Sequence, residues 1–354
     1  MKVQRSELQK AVTILNRLTR RSTLPPAYRI RGAKLEVGNG ESQGSYDLGV
    51  ESSIELACIP VVAIETFLRG DGADTVEFVL EGKKMWISCK GSRLSTQLME
   101  QHVVPFVVRE TEPDWIELGP EQTSEALRGG GIWCSTKNAH TDFRYVQLLP
   151  CEGGFIVGST DRRNVALFKV DGRGLGPDPI LIQESTADLI AAIEGELKVA
   201  IEDRRISIKS GKFEGSAALG RVDKNTIPDW FITKFNQVPF LCEVNREGLM
   251  GIASQAAAAH SALHAVAPNI TIRFSKTGLV VKMTNPEQVF EASMECKGTG
   301  EVEGVYNALE LAKMLDSIPS ETVRVFTEQD MACPTVFKGS GDFPMLACTK
   351  ITLK

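Results

Sequence analysis

The sequence predicts an α+β protein in which one domain is repeated three times. Three observations carry that prediction. The order helix, turn, strand, polar turn, strand occurs three times; its occurrences stand about a third of the chain apart; and each third opens with a further helix. The first occurrence has an apolar helix over 61–68, a strand over 75–80, the turn Glu81-Gly82-Lys83-Lys84 and a strand over 85–89. The second has a helix over 187–193, a strand over 197–201, the turn Glu202-Asp203-Arg204-Arg205 and a strand over 206–208. The third has a helix over 308–315, a strand over 322–326, the turn Thr327-Glu328-Gln329-Asp330 and a strand from Met331 onward.

Val76, Leu197 and Val323 mark the same place in each occurrence, 121 and 126 residues apart in a chain of 354. That period is far above the roughly 20–50 residues of a solenoid unit. Three domains follow, over 1–115, 116–236 and 237–354. The opening helices are expected over 6–20, 124–140 and 249–264, the first with Ser6 and Gln9 as a capping box. Alternation marks strands between them, with Ile206/Ile208 inward against Ser207/Lys209, and Ile270/Ile272 inward against Thr271/Arg273. Linkers are expected over 109–120 and 229–239.

Composition excludes several classes. Hydrophobic residues at 42% and charged residues at 24% are those of an ordinary globular chain, with no run long enough to span a bilayer. The N-terminus lacks an apolar signal core, so a cytoplasmic location is expected. Net charge is −5, with the excess acid in the last third, so a nucleic-acid partner would have to be met by local cations. The eight cysteines form no C-x-x-C pair and read as reduced, mostly buried thiols.

No catalytic signature stands out. The chain contains no G-x-x-x-x-G-K-[ST] and no H-E-x-x-H. The glycines over 171–177 lack the spacing of a nucleotide loop. His260 and His264 are spaced i, i+4, with no third metal ligand in view. His140 and Asp142 have no nucleophile beside them. No catalytic residue, metal or cofactor is expected, and the protein is expected not to be an enzyme.

The cations of the opening helices are more informative. On a helical wheel Leu8, Val12, Leu15 and Thr19 share one side; Lys10, Arg17 and Arg21 form a stripe opposite, flanked by Arg20. The second third supplies Arg128, Lys137 and Arg144, with Tyr145. Lys198 and Lys313, near the second helices, extend the set. The third opening helix has no lysine or arginine between Leu249 and His264.

Short motifs then give a resemblance. Arg21-Ser22-Thr23-Leu24-Pro25 resembles R-P-T-L-P. Leu80 to Met85 with Ser92-Arg93-Leu94-Ser95 resembles L-E-G-x-x-M and S-R-F-S-L. His140 to Tyr145 resembles H-Q-D-V-R-Y. Thr160-Asp161 with Val165-Ala166 resembles T-D-G-H-R-L-A. Ile227-Pro228-Asp229-Trp230 resembles F-P-D-Y, and Asn285 to Gln288 resembles N-P-E-Q. Their order along a threefold repeat is similar to that of the bacterial replicative sliding clamp, the β subunit of the replicase.

The resemblance implies clamp-type domains, two helices against strand-rich sheets, forming half of a closed ring. Two chains join head to tail around double-stranded DNA, read without sequence preference, and tether DNA polymerase and clamp loader through short peptides. It places Arg21, Arg144 and Tyr145 at the DNA; Lys10, Arg17, Arg20, Arg128 and Lys137 are added from helix geometry. It places Thr160, Val165, Pro228, Ile351 and Leu353 at the partner-peptide pocket, although core packing explains each of these equally well. The chain departs from the pattern with Arg162-Arg163-Asn164 in place of G-H-R, with its C-terminal residues, and with Ala256 to Ala259 on the third opening helix. These departures would suit a divergent member, such as one carried by a phage or mobile element. The alternative is a clamp-fold interaction protein that binds clamp-motif peptides without encircling DNA.

Overall fold

The structure, a computed structural model, describes residues 1–19, 27–68, 74–106, 111–134, 141–202, 204–221, 227, 229–261, 268–284, 289–330 and 333–351. In the first third the order is β1 (Lys2–Gln4), α1 (Arg5–Thr19), β2 (Ala27–Arg31), β3 (Lys34–Gly38), β4 (Ser42–Asp47), β5 (Ala57–Pro60), α2 (Val61–Leu68), β6 (Thr75–Glu81), β7 (Lys84–Cys89) and β8 (Ser92–Gln97). The second third has β9 (Ile116–Leu118), α3 (Pro120–Gly130), β10 (Tyr145–Cys151), β11 (Gly154–Thr160), β12 (Asn164–Asp171), β13 (Ile180–Gln183), α4 (Glu184–Ile190), β14 (Leu197–Glu202), β15 (Arg205–Ser210) and β16 (Phe213–Ala218). After α5 (Asp229–Gln237) come β17 (Phe240–Asn245), α6 (Arg246–Ser261), β18 (Asn269–Phe274), β19 (Gly278–Thr284), β20 (Val289–Gly298), β21 (Val302–Asn307), α7 (Ala308–Asp316), β22 (Thr322–Phe326), β23 (Thr335–Lys338) and β24 (Met345–Cys348).

Each third is therefore strand, helix, four strands, helix, three strands, and each pairs them alike. The first, sixth, seventh and eighth strands form one antiparallel group; the fifth, second, third and fourth form the other. Groups fuse across the repeats by one rule, in which the fourth strand of one copy pairs with the eighth of the next: β4 with β16, and β12 with β24.

The chain divides into two compact units. One comprises Met1–Ser124 with Ser185–Arg221; the other comprises Glu125–Glu184 with Val222–Lys354. The first unit holds the sheet β1-β6-β7-β8 and the eight-stranded sheet β5-β2-β3-β4-β16-β15-β14-β9. The second holds a twelve-stranded sheet, in which β17 also pairs with the end of β20.

Burial follows what lies on each sheet face. In β18 and β19 alternate residues are buried, the pattern of a sheet with one wet face. In β11, β12, β23 and β24 nearly every residue is buried. There α5 covers the outer face: Phe235 and Val238 join Leu149, Ile156, Val165, Leu167, Val336, Met345 and Ala347 in one core cluster. In the first unit, Val104 packs on Ala27 and Cys58, and Phe106 lies over Arg29 at 4.5 Å. That cover buries Glu36 completely, and Arg29 (2.5 Å) and Arg31 (3.0 Å) neutralise it.

Several element bounds differ from expectation. α1 starts at Arg5, directly after β1, which puts Ser6 inside the first turn rather than at a cap. α3 runs from Pro120, a residue suited to the first helical position, and ends at Gly130. α4 and α6 each begin three residues earlier than expected, α6 behind Asn245, whose Oδ1 accepts from the Gly248 N–H at 2.7 Å. The linker expected over 229–239 is mostly α5, and the one over 109–120 contains β9. Ser207, expected outward, is 1% exposed, because it sits between Ala200 and Ser216 on the neighbouring strands.

Candidate nucleic-acid interface and partner site

α1 is held by its apolar stripe. Leu8, Ala11, Val12, Leu15 and Leu18 are buried. The stripe reaches the β4–β16 seam, where Gly44 and Gly215 stand directly opposite. A Cβ on Gly44 would meet Leu18 Cδ1 at 2.5 Å and Leu15 Cδ2 at 3.2 Å, so the glycine makes room for the leucines. The far side of α1 carries Lys10, which is exposed, and Arg17, which is half-buried. Arg17 Nη1 donates to the Asp188 carbonyl of α4 at 3.1 Å, so this cation also ties the first opening helix to the second copy. Arg20 and Arg21 lie outside the described residues, as does the side chain of Thr19.

A second tie crosses the same seam. Lys212 Nζ donates to Glu7 Oε1 at 2.6 Å, and Tyr46 OH donates to the same oxygen at 3.1 Å. The lysine hydrogen bond holds the Glu7 carboxyl below its ordinary range, while burial pushes Tyr46 up to about 12.

α3 presents Arg128 from its last turn, where a cation is favoured by the helix C-terminus. Three glycines then bring the chain tight against the sheet. A Cβ on Gly129 would collide with the Phe168 ring, and one on Gly130 would lie 2.6 Å from the Val157 carbonyl oxygen. Ser159 Oγ locks the end by donating to the Gly130 carbonyl (2.5 Å) and accepting from the Trp133 N–H (3.0 Å). Lys137 and His140 lie outside the described residues. A single helical turn over Thr141–Arg144 buries Phe143 and leads into half-buried Arg144 and Tyr145, Tyr145 pairing with Gln183 on β13.

The two added cations are otherwise engaged. Lys313 Nζ donates to the Ile132 carbonyl at 2.6 Å and sits 4.9 Å over the Trp133 ring; Lys198 pairs with Glu196 at 2.5 Å.

At the expected peptide pocket, Thr160 Oγ1 donates to the Asn164 carbonyl at 2.8 Å. Val165 is 6% exposed within the cluster that α5 covers. Lys338, 4% exposed, anchors α5 by donating to Asn236 Oδ1 at 2.6 Å, and burial lowers its pKa. Half-buried Ile351 donates its N–H to the Val305 carbonyl at 2.9 Å. Pro228 and Leu353 lie outside the described residues. Two features escaped the sequence reading. One is α5, which falls on the stretch 229–239 that was expected to be a linker. The other is the pair of strands β8 and β20: among the described residues β8 pairs only with β7, and the edge of β20 away from β19 pairs only at its end, with β17, which shows only once strand pairing is known.

Among the described residues no group of three or more His, Cys, Asp or Glu is placed to hold a metal, and no helix is long and apolar enough to cross a membrane. No protein-family model matches the chain, and no curated protein matches it. Solved structures do. The DNA polymerase III subunit beta of Pseudomonas aeruginosa aligns with a TM-score of 0.85 at 16% identity, covering 100% of both chains. A putative DNA polymerase III beta subunit of Eubacterium rectale gives 0.88 at 12% identity over 99% of each chain. The beta subunit of Thermotoga maritima gives 0.84 at 14%, over 100% of this chain and 99% of that one. At these identities the likeness is one of fold, and it is full-length: this chain has the fold of the DNA polymerase III beta sliding clamps.

Proposed function

We propose that the protein is a DNA sliding clamp, a processivity factor without catalysis of its own, whose two chains close head to tail around duplex DNA. The observation that carries this reading is the seam rule. Both internal seams pair a fourth strand with an eighth, and the same rule applied at the ends of the chain joins β20 of one molecule to β8 of another. Two such joins close a six-domain circuit, with domains over 1–115, 116–236 and 237–354.

The repeats also support one register for that join. The hairpins pair Gly38 with Gln43 and Thr284 with Val289, so Val289 takes the place of Gln43. They pair Ser210 with Phe213 and Cys89 with Ser92, so Ser92 takes the place of Phe213. Because Gln43 faces Ser216 and Tyr46 faces Phe213, Val289 should face Ser95, and Ala292 should face Ser92. Phe290 then meets Leu94 on the inner face and Glu291 meets Arg93 on the outer. Val289, 72% exposed in a single chain, would be covered.

Lys10, Arg17, Arg20, Arg21, Arg128, Lys137, Arg144 and Tyr145 would offer sparse, phosphate-directed contacts. A slider needs contacts of that kind, because base readout would arrest it. Polymerase and loader peptides would dock beside α5, near Thr160, Val165, Pro228, Ile351 and Leu353, with a few apolar anchors supplying most of the affinity. The test is retention after loading: protein should stay on circular DNA and leave when the circle is cut, with a solution mass twice 38.7 kDa. A monomer that binds polymerase peptides but escapes circular and linear DNA alike would instead mark an interaction protein.

A further inference from the structure

Each seam inside the chain is fastened by helices as well as by strands. Val3, Leu118 and Val244 face Val76, Leu197 and Val323 in their ladders, so they mark one place in the three repeats. Fourteen residues beyond them, in or just past the last turns of the opening helices, stand Arg17, Ile132 and Ala258. Ten residues before Val76, Leu197 and Val323, on the second helices, stand Thr66, Ala187 and Lys313. At the β4–β16 seam Arg17 Nη1 donates to the carbonyl of Asp188, next to Ala187, at 3.1 Å. At the β12–β24 seam the direction is reversed, and Lys313 Nζ donates to the Ile132 carbonyl at 2.6 Å. One long cation thus latches the helix layer at each seam, and always between this pair of places. The first seam has a second latch, in which Glu7 holds Lys212 and Tyr46.

At the join between molecules the same two places hold Ala258 and Thr66. Alanine offers only a methyl group, and Thr66 Oγ1 donates to the Val62 carbonyl of its own helix at 2.8 Å. α2 contains no lysine or arginine, and α6 contains none after Arg246, which donates to the Leu315 carbonyl of its own domain. The places of Glu7, Tyr46 and Lys212 fall to Gly248, Ala292 and Gly91. We infer that this join is a built-in gate: its helix layer is left unlatched, so the ring opens there on its own and admits duplex DNA without being driven by a loader. The inference rests on the clamp reading above and adds how the ring opens.

The test is subunit exchange without DNA, followed by energy transfer between dimers carrying different dyes. Ala258→Arg supplies the cation that Arg17 supplies at the first seam, from an exposed helix position. One added hydrogen bond should slow exchange about 2-fold to about 12-fold. Ala258→Met, of similar bulk without charge, should leave the rate unchanged. So should Glu152→Gln, which shifts the net charge equally at the exposed β10–β11 turn. Independently of any variant, the wild-type protein should pass onto closed circular DNA with neither loader nor nucleotide present. Unchanged exchange in a folded Ala258→Arg protein would overturn the inference. Equal slowing in either control would overturn it as an effect of bulk or net charge. A wild-type dimer that reaches circles only when a loader is added would overturn it too. Each of these results leaves the clamp reading standing. A wild-type protein that forms no dimer and is retained on no circle, with or without a loader, would refute both readings.

Discussion

Reversing the charge at Glu291 probes the proposed seam directly. In the single chain Glu291 is paired with Lys282 at 3.1 Å, and Arg93 lies over the Trp86 ring at 3.9 Å with Glu81 3.9 Å away. The two side chains are 55% and 54% exposed, so each can turn to a new partner. A directly opposed cross-strand ion pair contributes about 0.2–1 kcal/mol, and like charges opposed there cost a similar amount. Glu291→Arg forfeits one and incurs the other, and a closed ring contains two seams. The loss is therefore about 0.8–4 kcal/mol, or a dimer Kd raised about 4-fold to about 700-fold. The double variant Arg93→Glu/Glu291→Arg should restore most of the affinity. Sedimentation equilibrium at several ionic strengths measures this. Thermal unfolding shows that each variant is folded, since the introduced guanidinium would face Lys282 within its own chain. Folded single variants that dimerise like wild type, or a double variant no better than the singles, would refute the register.

Other expectations follow from the seams and the core. Lys212→Ala should cost about 0.5–1 kcal/mol, because the lysine is half exposed, as read by denaturant unfolding. Glu7 is lowered in the folded state, so its contribution is complete above the ordinary carboxylate range and fades as pH falls through the lowered value. Removing Lys212 should flatten that acid-side loss, which lies at and below the ordinary carboxylate range. Gly129→Ala would press a methyl group into the Phe168 ring and should destabilise by about 1–3 kcal/mol, visible as a lower Tm. Phe235→Ala, which uncovers the sheet beneath α5, should cost about 3–5 kcal/mol, and a smaller loss would show that α5 is a loose cover.

Much of the architecture was legible in the sequence, because periodicity reports local geometry. The strands over 75–80, 85–89 and 322–326 and the helices over 61–68 and 308–315 fall within a residue or two of their expected places. Errors arose where distant packing decides. α3 ends at Gly130 because Phe168 and Val157, far along the chain, lie against its glycines. Ser207 looked like a solvent-facing position, yet flanking strands enclose it. Of the proposed DNA interface, the cations Lys10, Arg128 and Arg144 could be picked out by spacing or motif. That Arg17 would also reach the Asp188 carbonyl could not, nor that Val165 would lie under α5, since both depend on which strands become neighbours.

The line between the compact units runs through the middle repeat rather than beside it: Ile116–Leu118 and 185–221 fall with the first third, 125–184 with the last. What was copied in sequence is thus not what holds together in space. An excised 116–236 segment would carry two half-sheets, each stripped of the strands it leans on. Cuts meant to yield autonomous modules should leave each seam of hydrogen bonding whole, and unfolding should proceed in blocks that differ from the repeats.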